Sequence, residues 1–176
     1  MRLSAMRGAA GAGFKAARDV VSALKCRSLQ ADALWRGGQP NAAVAIWQDT
    51  ATALQQRGDE AGARAVRLRL ADARAGSGQA EDINAARQAV LAELPALHDR
   101  DALAAAEFAL AARLAAWRVL HRAGDPAAAG QLALAAAELE QVLGAFSDPE
   151  VRERVRHTVP WHRDVVEALA QSNAAA

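Results

Sequence analysis

The chain has 176 residues, a 52% hydrophobic fraction and a formal charge of +1, enough length and apolar content for one domain with its own core. Aromatic residues make up only 4% and tyrosine is absent, which argues against a sheet protein. No run of about 18 apolar residues occurs, so no membrane span is expected, and a single cysteine excludes an internal disulfide.

Alanine, the strongest helix former, exceeds a quarter of the chain. A core of alanine and leucine lets helix axes approach closely. The charge is unevenly spread: residues 1–36 carry a balance of +5 and the remainder −4. Cys26 lies in KCR, where flanking cations can lower a thiol pKa. The plainer reading is a small helix residue in a reducing, cytoplasmic setting. The opening MRLSAMRGAAGAGFKAAR lacks the continuous apolar stretch of a signal peptide. It is free of acids before Asp19, as organellar transit peptides are, and residues 1–13 are expected to form a flexible leader.

Helical stripes then follow in chain order, separated by breakers. Val21, Leu24, Ala31 and Trp35 make the first, closed by GGQPN at 37–41. Val44, Trp47, Ala51 and Leu54 make the second, closed by RGD at 57–59. Ala63, Val66, Leu70 and Ala73 make the third, before GSGQAED at 76–82, which is composed like a flexible joint. Ile83, Val90, Leu94 and Leu97 carry the fourth to HDRD at 98–101. Between Asp101 and Arg122 two stripes coexist, one through Leu103, Leu110, Leu114 and Trp117 and one through Phe108, Ala112, Ala115 and Val119. That predicts a helix packed on both sides. Leu132, Ala136, Leu139, Leu143 and Phe146 form the sixth stripe, Val151 and Val155 a short seventh, and Trp161, Val165 and Leu169 an eighth. Asp125-Pro126 and Asp148-Pro149 each put a capping acid before a proline suited to the first helical position.

The pattern predicts an all-α protein of seven or eight helices. Short connections imply antiparallel hairpins. One helical domain is expected over 14–171, with 172–176 as a flexible tail.

These residues resemble tetratricopeptide repeats, helical pairs with a glycine turn, a small residue five positions later and a bulky one four beyond that. Gly38, Ala43 and Trp47 fit that order, with Leu34 before the turn. Gly124 and Ala129 repeat it after Leu120, with Ala133 in the bulky place; Gly58 and Ala63 match, and Arg67 departs. The spacing from Gly38 to Gly124 is not a multiple of the 34-residue period. The segment 146–169 resembles the closing part of such arrays in large bacterial signalling proteins that also carry ATPase, kinase, cyclase or DNA-binding modules. Asp148, Pro149, Arg152, Val159, Pro160, His162 and Arg163 fill its positions, and Trp161 stands where a polar residue is usual. The resemblance spans about residues 28–170. It implies a right-handed α-α superhelix of stacked hairpins with a protein or peptide partner.

Candidate chemistry is sparse. GAAGAGFKA at 8–16 resembles a phosphate loop, but Phe14 displaces Lys15 and Ala16 stands where a magnesium-binding hydroxyl is needed. His98, His121, His157 and His162 show no metal-ligand spacing, since Pro160 separates the last two. No nucleophile elbow or paired-carboxylate signature occurs, so no catalysis, cofactor or metal is expected. The arginines of RAVRLRLADAR and of 152–156 are interleaved with acids, which favours a solvated face over a nucleic-acid stripe.

The expectation is a non-enzymatic scaffold with a regulatory role. Its partner-binding candidates are Trp47, Arg67, Arg74 and Trp117. Asp148, Pro149, Pro160 and Trp161 are expected to start and cap the closing helices. The rival is an effector-sensing domain with a small ligand held between helices near Trp117. An enclosed cavity with a few polar groups would distinguish it from an open groove. The oligomeric state is left open.

Overall fold

The structure is a computed structural model that describes residues 20–97, 103 and 109–174. The expected leader at 1–13 and the turn at 98–101 lie outside these residues. All secondary structure described is helical. Helix α1 spans 20–36. It is followed by α2 (Pro40–Gln56), α3 (Glu60–Ala75), α4 (Ala80–Leu97), α5 (Ala109–Arg122), α6 (Ala128–Gly144), α7 (Pro149–Thr158) and α8 (Pro160–Ala174). Among the described residues there are eight helices, in the order of the stripes. None is long and apolar enough to cross a membrane.

Three of the turns are built by one repeated device. At the end of α1 the Gly38 N–H bonds Trp35 O at 3.1 Å and the Gln39 N–H reaches back to Leu34 O at 2.9 Å, the paired bonds of a Schellman motif. The motif needs a left-handed residue, and Gly38 supplies it at φ 75°. The same two bonds recur around Gly58 and Gly124. Asp59 then caps α3 by accepting from the Gly62 N–H at 2.9 Å. Asp148 caps α7 by accepting from the N–H groups of Glu150 and Val151, with Pro149 at the first helical position. Asp125 behaves differently from expectation. Its side chain accepts from the Ala127 N–H, and α6 begins at Ala128, two residues later than the proline implies.

Two segments differ in detail from the sequence reading. Within 76–82, α4 begins at Ala80, and the Ser77 hydroxyl donates to Asp82 at 2.6 Å while accepting from the Gln79 N–H. Helix α8 runs to Ala174, past the boundary expected at 171. Residues 175–176 lie outside the described chain.

Two apolar clusters fill the interior. One joins Leu24, Ala31, Trp47, Leu54, Val66 and Leu70 from α1, α2 and α3. The other gathers Leu68, Val90, Leu114, Val119, Leu139 and Val165 from α3 through α8. Helix α3 belongs to both, with Ala63, Val66, Leu70 and Ala73 on one side and Ala65, Leu68, Ala71 and Ala75 on the other. Helix α5 is buried around most of its circumference and packs against α3, α4, α6 and α8, the two-sided packing its stripes predict.

Candidate functional site

The helices enclose a cleft of about 310 Å³ whose walls come from α1, α2, α3, α5 and α8. Helices α1, α3, α5 and α8 contribute residues at spacings of three or four, which place side chains on one face. Helix α1 supplies Asp32, Trp35 and Arg36; α3 supplies Arg69 and Asp72. Helix α5 supplies Leu114, Arg118 and Arg122, and α8 supplies Trp161 and Asp164. Trp47 of α2 completes the aromatic wall.

An ordered ion-pair chain crosses this cleft. Arg122 donates to Asp72 Oδ1 at 2.5 Å, and Arg118 lies 3.3 Å from Asp72 Oδ2. Arg118 also donates to Asp164 Oδ2 at 2.8 Å, and Arg36 donates to the same oxygen at 2.8 Å. The series thus ties α3, α5, α8 and α1 together. Its signs are separated by depth. The carboxylates sit inside, with Asp72 6% and Asp164 11% exposed; the guanidiniums of Arg36 and Arg122 lie outside at 39% and 38%. Burial alone pushes the Asp164 carboxyl up, but the bonds from Arg36 and Arg118 outweigh it and hold the group below the usual aspartate value.

Deeper in the wall, Arg69 pairs with Asp32, donates to Ser28 Oγ at 2.7 Å and lies 5.2 Å from the centre of the Trp47 ring. Burial pulls its guanidinium down to about 9, which leaves it charged at neutral pH. Trp35 and Trp47 meet with ring centroids 6.4 Å apart. Trp35 also presses on the end of α3: a Cβ at Gly76 would stand 2.6 Å from its ring. The Trp47 indole Nε1 is buried and has no hydrogen-bond acceptor.

The sequence-derived candidates are dispersed by the fold. Of the four partner-binding candidates, Trp47 alone lines the cleft. Trp117 is buried in the larger cluster and stacks on His121 at 5.2 Å. Arg67 is held between Glu60 at 2.6 Å and Glu93 at 2.7 Å. Arg74 is exposed at the end of α3. Trp161 packs partly against the larger cluster, meets the His162 ring edge-on and also lines the cleft. Asp164, one turn further along α8, is turned inward and paired with Arg36 and Arg118.

Sequence reasoning did not single out Arg36, Asp72, Arg118 or Asp164. A signal existed: Asp72 falls between Leu70 and Ala73, an acid embedded in an apolar helix face that requires a cation from elsewhere. Which cation meets it depends on helix packing.

Among the described residues no group of three His, Cys, Asp or Glu side chains is placed to hold a metal ion. The molecule is thus an all-α protein, with eight helices among the described residues and an arginine- and tryptophan-lined cleft joining the first and last of them. The chain matches no protein-family model, no curated protein and no solved structure.

Proposed function

We propose that this protein is a non-enzymatic helical scaffold that binds a protein or peptide partner, and that its hairpins form a tetratricopeptide-like superhelix. The observation that carries the reading is the cleft. Tryptophan and arginine are the residue types that most often anchor protein interfaces, and here three tryptophans and four arginines converge on one concave site. The repeated glycine turns and the acid-proline start of α7 support the resemblance to tetratricopeptide arrays. In that setting the scaffold is cytoplasmic and regulates or localises an ATPase, a kinase or a DNA-binding module of a bacterial signalling system.

Retention of partners on the immobilised full chain tests this reading, comparing wild type with Arg36→Glu/Arg122→Glu and with Arg74→Glu. Loss of a retained protein with the cleft variant, but not with Arg74→Glu, supports the proposal. Equal retention by all three removes the cleft from partner binding.

A second reading, an effector-sensing domain, is favoured by the cleft's size. Its volume falls at the lower end of small-molecule sites, which run from about 300 to 1,000 Å³.

A further inference from the structure

We infer that the cleft is a binding site for a small aromatic monocarboxylic acid. The inference rests on the effector-sensing reading and names its ligand class.

Charge comes first. The cleft wall holds four guanidiniums, from Arg36, Arg69, Arg118 and Arg122, against three carboxylates, from Asp32, Asp72 and Asp164. One positive charge is in surplus. It is also presented outward, because the carboxylates are the deeper members of the ion-pair chain and its end members Arg36 and Arg122 are the more exposed. Each of these two arginines engages a single carboxylate, although a guanidinium carries five N–H donors. A guest entering the cleft meets unspent donors.

The guest that answers this surface is an acceptor carrying one negative charge. A carboxylate neutralises the surplus. A phosphate monoester, at roughly −1.5 to −2 near neutrality, overshoots it. The chain already demonstrates the preference, since the Asp164 carboxylate lies between Arg36 and Arg118 at 2.8 Å from each.

The remainder of the guest is set by Trp35 and Trp161, the partly exposed tryptophans of the cleft, whose rings supply its flat apolar wall. Stacking on such rings favours a planar aromatic body. Size agrees: a cavity of about 150 Å³ holds one benzene. The cleft's 310 Å³ therefore has room for one or two rings together with a carboxylate arm. A guest lodged there touches α1, α3, α5 and α8 at once, so its binding tightens the join between the first and last described helices.

The test is calorimetric titration of the full chain with phenylacetate and 2-naphthoate. Phenylacetamide, 2-naphthamide and phenyl phosphate serve as matched probes, and melting is followed in parallel. The expected result is saturable binding of at least one acid, with a melting temperature that rises with its concentration. The amides and phenyl phosphate should bind at least tenfold more weakly. Arg36→Gln and Arg122→Gln should each weaken acid binding at least fivefold, while Arg57→Gln, at an exposed residue of the turn after α2, leaves it unchanged. The two cleft variants keep the aromatic wall, and an unaltered helical spectrum shows that they fold. Amide binding equal to acid binding overturns the carboxylate assignment while leaving a small-molecule site in place. Phenyl phosphate binding more tightly than the acids overturns it in favour of phosphate. Absence of any binding overturns the assignment and the sensor reading together. Acid binding insensitive to both arginine substitutions moves the site elsewhere and overturns the inference.

Discussion

Arg36 at the end of α1 and Asp164 near the start of α8 stand 128 residues apart in the chain and 2.8 Å apart in space. The contact is shared, because the same Asp164 oxygen also accepts from Arg118 of α5. A helical array is ordinarily held by neighbours in sequence order. Here the eighth helix reaches past its own hairpin to the first.

That contact has a measurable strength. A double-mutant cycle on Arg36→Ala and Asp164→Ala should give a coupling of about 0.5–1 kcal/mol, the range of well-formed but partly exposed ion pairs. Denaturant melts of the four proteins supply it. Strict additivity of the two single substitutions would show that the join contributes nothing to stability.

Acid should loosen the same join. The Asp164 carboxyl is held below its ordinary value of 3.8 in the folded protein, so the folded state favours its ionised form. Its contribution is fully present above the unfolded aspartate value and is lost as the pH falls through the lower, folded value. Melting temperatures of wild type and Asp164→Asn should therefore converge below about pH 4 and diverge toward neutrality. A constant gap between them across that window contradicts the assignment.

Trp161 separates packing from recognition. It is partly buried against the larger apolar cluster and also lines the cleft. Truncating a fully buried large aromatic costs about 3–5 kcal/mol. For half-burial we expect about 2 kcal/mol, which lowers the melting temperature of a domain this size by about 4–8 °C. Calorimetric melting of Trp161→Ala checks it. Unchanged melting would assign the residue to recognition alone.

Two glycines should respond oppositely to alanine. Gly38 holds φ 75°, where an L side chain costs about 1–2 kcal/mol, so Gly38→Ala should destabilise. Gly130 sits inside α6 with nothing within 4 Å of an added Cβ. There alanine removes backbone freedom from the unfolded chain, and Gly130→Ala should stabilise by about 0.5–1 kcal/mol. Chemical melts of the two variants give the signs directly.

The helices were legible because their signals are local. Gly38, Gly58 and Gly124 terminate helices through bonds spanning five residues, and Asp148-Pro149 starts one through its own side chain. The two-sided burial of α5 was legible for the same reason, in its doubled stripes. The second face of α3 was not: Ala65, Ala71 and Ala75 are small enough to pass as filler in an alanine-rich chain, and only packing shows them buried. The cleft was hidden more completely. Trp47 was found through its size, but Arg36, Asp72, Arg118 and Asp164 acquire meaning from partners 46 to 128 residues away. In sequence each is an ordinary charge on a charged helix.

Helix α3 faces both apolar clusters, which bears on how the molecule can be divided. Ten of its sixteen positions are buried, four toward each cluster and two, Arg69 and Asp72, at the cleft. A cut at the 76–79 turn would deprive the later helices of Ala65, Leu68, Ala71 and Ala75, and a cut at 57–59 would strip α1 and α2 of Ala63, Val66, Leu70 and Ala73. Neither fragment inherits a finished interior. The hairpins read in the sequence as separate modules, but they share a wall, so the described helices form one indivisible unit that cannot be shortened one repeat at a time.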